Sequence, residues 1–125
     1  TGTDTILLDE VLPVAISLFN HFWENANYYQ LMLDHNVLPG FQGHLCETIN
    51  NHFLKNIQMD LSNPNHHINP EILSYHNAYA ILGMVIYWFK NGLQYTPHYM
   101  AEQLIQIAIN QPSKVTLKAF DEINK

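Results

Sequence analysis

Histidine is unusually frequent among the side chains that could do chemistry: of 125 residues eight are histidine, against one cysteine, five lysines and no arginine. Imidazole is a common transition-metal ligand, and its charge changes between about pH 5 and 8. His44 and His52 stand two helical turns apart. With Glu47, or with His76 from a neighbouring helix, they have the residue types of a metal site. The pattern stops there, because no Cys/His spacing of a structural zinc site and no HExxH is present. His66 and His67 are adjacent in a polar loop, where neighbouring side chains diverge. No metal and no cofactor is therefore expected, and the histidines read as helix-surface residues. Catalytic chemistry has still less to work with. There is no Gly-rich phosphate loop and no GxSxG. Cys46 has His44 two positions away, which puts the two on different faces of a helix. Cys46 reads as inert packing, and the chain as non-enzymatic.

Composition narrows the partners. A formal charge of −6 with five basic residues leaves few groups to neutralise phosphates, so this polypeptide by itself should not bind DNA or RNA. Protonation of the histidines would carry that charge to the positive side as the pH falls through about 6.5. No run of about eighteen apolar residues marks a membrane span. The start, Thr1-Gly2-Thr3-Asp4, lacks the basic and apolar regions of a signal peptide and reads as an internal cut. A lone cysteine agrees with a reducing cytoplasm.

Helical periodicity runs through the sequence and period-two alternation is missing, so the fold class expected is all-α. Val11, Ala15, Leu18 and Phe22 make one apolar stripe, and Leu12, Ile16, Phe19 and Trp23 the next, giving a first helix over about Asp9 to Glu24 with Pro13 near its first turn. Asn27 is placed to cap a short second helix carrying Tyr28, Tyr29, Met32 and Leu33, closed by His35-Asn36. Pro39-Gly40 opens a third, to about Asp60, in which Phe41, Leu45, Ile49, Phe53 and Ile57 recur every four residues. Ser62 to His67 is rich in turn formers and reads as a mobile linker. Asn69-Pro70 starts a fourth helix that Asn91-Gly92 ends, and Thr96-Pro97 starts a fifth, to about Asn110, with Met100, Leu104 and Ile107 on one face. Residues 113–125 are only weakly amphipathic and are set apart, as a tail or short extra helix, from a domain over residues 1–112.

The fourth helix is the most informative. Ala78 to Phe89 (AYAILGMVIYWF) has no polar side to turn toward water. One side can pack on the domain's own core, and the other calls for a second molecule. The expectation is a bundle of five to six antiparallel helices whose last two long helices pair with those of a twin, forming a four-helix dimer interface. Gly83 would allow backbones to approach, and Ile86, Tyr87, Trp88, Met100, Leu104 and Ile107 would supply contact.

Three stretches resemble a known family: LFNHFWENANYYQLML from Leu18, PGFQGHLCETINNHFL from Pro39, and AILGMVIYWFKNGLQYTPHYMAEQL from Ala80. Over roughly Leu18 to Gln111 they are similar to the regulatory C-terminal domain of tetracycline-repressor-family (TetR) transcription regulators. The last stretch resembles that family's dimerisation hairpin and is the most specific. Members carry an N-terminal helix-turn-helix domain that this chain lacks. The resemblance implies a cytoplasmic homodimer that binds a small hydrophobic effector among its first four helices and reaches DNA only through that missing domain. Inward aromatic residues and methionine are the pocket candidates: Phe19, Trp23, Tyr28, Met32, Phe41, Phe53 and Tyr79, with His44 and His76 (and His52) as polar anchors. A helical dimerisation or adaptor module without a ligand is the alternative.

Overall fold

The structure, a computed structural model, describes residues 7–35, 40–56 and 67–110. Among the described residues five α-helices, α1 (Leu12–Glu24), α2 (Ala26–His35), α3 (Phe41–His52), α4 (Pro70–Lys90) and α5 (Pro97–Ile109), form the bundle. The fold is all-α, with no strand among the described residues. Ile57, the linker up to His66 and the tail 113–125 lie outside them.

Local chemistry accounts for the boundaries. Pro13 sits in the first turn of α1, and the turn before it, Leu7–Val11, is widened to π geometry. A proline there donates no N–H and crowds the preceding carbonyl, and a wider turn relieves the crowding. Asn25, and not Asn27, carries the break between α1 and α2: its side-chain amide donates to the His21 carbonyl at 2.8 Å, and α2 begins at once at Ala26. In α3 the ladder Phe41, Leu45, Ile49 and Phe53 is buried throughout. Its α-helical turn ends at His52, followed by a 3-10 turn over Leu54–Asn56, because Asn50-Asn51-His52 are weak helix formers. The start of α4 is capped by Asn69 Oδ1, which accepts from the backbone N–H groups of Glu71 (2.8 Å) and Ile72 (3.3 Å). Thr96 does the same for α5, accepting from Tyr99 N–H at 3.1 Å.

The turn after α4 is a Schellman motif. Gly92 N–H donates to Phe89 O at 3.1 Å and Leu93 N–H to Trp88 O at 3.0 Å, with Gly92 at φ +77° and Leu93 at φ +56°. Apart from its chain neighbours, no atom lies within 4 Å of where a Gly92 Cβ would stand, so the requirement for glycine is purely conformational. Gly92→Ala should cost about 1 kcal/mol and lower the melting temperature by roughly 4 °C, read by circular dichroism.

One core joins all five helices: Leu18, Phe19 and Phe22 of α1, Tyr29 and Met32 of α2, Leu45 and Ile49 of α3, Ile81, Val85 and Trp88 of α4, and Met100 and Ile105 of α5. Packing is uneven. α5 lies chiefly against α1 and α4 chiefly against α3, so the two last helices open into a groove beyond their shared turn instead of closing on each other.

Trp88 corrects one expectation. It is fully buried within the single chain, edge-on to Phe19 (centroids 5.8 Å apart, planes at 75°) and stacked on Trp23 (5.8 Å, 21°). Its indole N–H donates to Tyr95 O at 2.9 Å. The residue is thus a pin for the α4–α5 turn and not contact area for a partner. A helix advances 100° per residue, so Tyr87, one position earlier, points out instead.

Candidate functional site

Because Ala78 to Phe89 of α4 is apolar around its whole circumference, the helix has two working faces. Ala78, Ile81, Leu82, Val85, Trp88 and Phe89 face the core. Ile72 (68% exposed), Tyr75 (71%), Tyr79, Ala80, Gly83 and Tyr87 (56%) face away from it. Apart from its chain neighbours and the local helix backbone, no atom of the chain comes within 4 Å of a Cβ built at Gly83. On α5 the matching outward residues are Tyr99, Gln103 and Ile107. These three, with Ala80, Gly83, Met84 and Tyr87 of α4 and with Tyr95 and Met100, line an open groove of about 520 Å3 between α4 and α5. Its rim is aromatic: Tyr95 stacks on Tyr99 at 4.8 Å, and a hydrogen bond with Tyr95 raises the pKa of the Tyr87 phenol. Of the residues expected at a dimer interface, Gly83, Tyr87 and Ile107 lie in this open face. Ile86 and Leu104 are half-buried against the chain's own core, and Met100 is buried at the groove floor.

The pocket candidates divide into two groups. Phe19, Met32, Phe41 and Phe53 come together inside the core. Trp23 is 44% exposed on the edge of α1, where it covers Trp88. Tyr28 is exposed and meets Tyr29 edge-on at 5.2 Å. His44 is exposed beside Phe41, and His76 is exposed next to Asn77. Tyr79 stands at a cleft of about 310 Å3 between α3 and α4, with Cys46, Glu47, Ser74 and Tyr75. Burial pushes the Cys46 thiol up, against a hydrogen bond with Tyr79, and so keeps it protonated at neutral pH. His44, His52, Glu47 and His76 do not converge: no group of three or more His, Cys, Asp or Glu side chains placed to hold a metal occurs among the described residues.

Sequence reading missed a polar cluster. Tyr29, not Tyr28, is the buried tyrosine of α2, and its hydroxyl meets His21 Nε2 at 2.8 Å. Burial raises the pKa of this phenol, against a hydrogen bond with Thr48. The spacing of Tyr29 with Met32 and Leu33, three and four positions on, was the available signal. Nothing local pointed to His21, whose partners come from α2 and α3.

No described helix is long and apolar enough to cross a membrane. Comparisons with curated proteins and with solved structures found no match. A family does match: the tetracycline-repressor-type family described as transcriptional regulator C-terminal region aligns with residues 9–110, which takes in all five helices and the groove between the last two. With its two-faced fourth helix and capped α4–α5 turn, this chain belongs to the TetR-type family of transcriptional regulator C-terminal regions.

Proposed function

We propose that this domain is the effector-sensing and dimerisation part of a bacterial TetR-family regulator, working in the cytoplasm and not as an enzyme. Two copies pair through α4 and α5. A small apolar molecule bound among the first four helices shifts their packing, and an N-terminal helix-turn-helix domain passes that shift to DNA. The observation that carries the reading is the outward apolar face of α4, which within one chain is left against water. Effector control further requires that the ligand bind two packing states with unequal affinity, since equal affinity moves nothing.

A second reading, a dimerisation or adaptor module without a ligand, draws on the burial of Phe19, Met32, Phe41 and Phe53 in one core. The two readings separate in a thermal-shift screen of hydrophobic small molecules. An effector domain should be stabilised by some of them, and Trp23→Ala should then weaken that binding by about tenfold while changing the dimer constant by less than about threefold. Stabilisation by none favours the adaptor. A larger loss of dimer than of ligand would move Trp23 to the interface.

A further inference from the structure

The C-terminal turns of α1 and α3 meet at one edge of the domain, and each brings a histidine. His21 is in the last turn of α1, and His52 is the last residue of α3. Their rings stack with centroids 4.4 Å apart and planes inclined by 22°. The Tyr29 hydroxyl of α2 lies 2.8 Å from His21 Nε2, and the Asn25 amide lies 3.5 Å from His21 Nδ1. One imidazole therefore ties three helices together. Beside it opens a cleft of about 430 Å3, lined by Ser17, Asn20 and Glu24 as well as the two histidines.

The stack tolerates charge unequally. Two helix C-termini supply negative partial charge and Glu24 a carboxylate, so one proton on the pair is well received. A second proton sets two imidazolium rings face to face, with His21 half-buried, His52 exposed and one carboxylate to offset them. We infer that the His21–His52 stack is a proton-operated latch, holding the C-terminal end of α3 on α1 while at most one ring is charged and releasing it when both are. Directly after His52 the chain leaves α-helical geometry at Phe53 and continues as the short 3-10 turn Leu54–Asn56, the segment that would report the release.

The titratable groups around the latch are Glu24 beside His21 on α1, Tyr29 from α2 and His52 from α3, with Lys55 one turn beyond. Burial holds His21 below the ordinary histidine range, the nearby His52 charge adds to that, and Glu24 opposes both. An unfolded histidine takes its proton near pH 6.5. The unfolded chain thus binds more protons than the folded one just below that pH, and stability falls as the solution is acidified through this window.

Ring 1H–15N spectra and backbone amide shifts of the whole chain, followed from about pH 8 to about pH 5, test the latch. His21 should titrate with a midpoint below the ordinary histidine value, lowered by burial and by the charge of the ring stacked on it. The amides of Phe53 to Asn56 should move with that lower midpoint. His52→Gln should raise the His21 midpoint and abolish the amide movement. His98→Gln, at an exposed α5 position paired with Glu102 at 2.8 Å, should change neither. Independent titrations with still amides overturn the latch, as does persistence of the movement in His52→Gln. If His52→Gln does not fold, the wild-type titration decides alone.

Discussion

Gly83→Arg is expected to convert a dimer into a monomer while leaving the chain folded. Within one molecule the new side chain has room to start, since nothing beyond the local helix backbone lies within 4 Å of the Cβ position and the residue is exposed at the open groove. Helix propensity even favours it, arginine being better than glycine in a helix interior by roughly 0.5–1 kcal/mol. Across a two-fold interface built on α4 the same change acts twice, and it buries two like charges where backbones come closest. Leaving a buried charge unpaired costs about 3–5 kcal/mol, so the dimer dissociation constant should rise by about a thousandfold or more. Sedimentation equilibrium reads the mass and circular dichroism the retained helicity. An unchanged mass would remove the outer face of α4 from the interface and with it the basis of the dimer proposal.

Trp88→Ala should act on the fold itself. The substitution removes the ring wedged between Phe19 and Trp23 and the hydrogen bond to Tyr95 O that secures the α4–α5 turn. Truncating a fully buried tryptophan costs about 3–5 kcal/mol, a large part of the 5–15 kcal/mol that holds an average domain together. Trp88→Phe keeps most of the apolar volume, loses the donor, and should cost about 1–2 kcal/mol. Urea unfolding measures both. Because Trp88 is buried in its own chain, these losses should persist at full size in the monomeric Gly83→Arg background. A Trp88→Ala effect that vanished there would mean that the tryptophan acts between molecules.

Much of the fold can be read along the chain because its signals are short-ranged. Asn69-Pro70 and Thr96-Pro97 announce helix starts through bonds to residues two and three positions on, and Gly92 announces an end through the left-handed turn it alone adopts without penalty. The four-residue ladder of α3 lies inside as its spacing demands. The all-apolar run in α4 gives the two-faced helix, though not which residue belongs to which face.

What the sequence determined by itself was therefore an all-α chain, its cap chemistry, the lengths of α4 and α5, and a surplus of apolar surface on α4. The tertiary structure decided the rotation of each helix about its axis. That rotation sends Trp88 inward and Tyr87 outward, buries Tyr29 in place of Tyr28, and brings His21 against His52 from separate helices. Caps and periodicity depend on neighbours within about one helical turn, whereas the rotation of a helix is fixed by ridges and grooves on elements distant in the chain, which single-residue spacing does not encode.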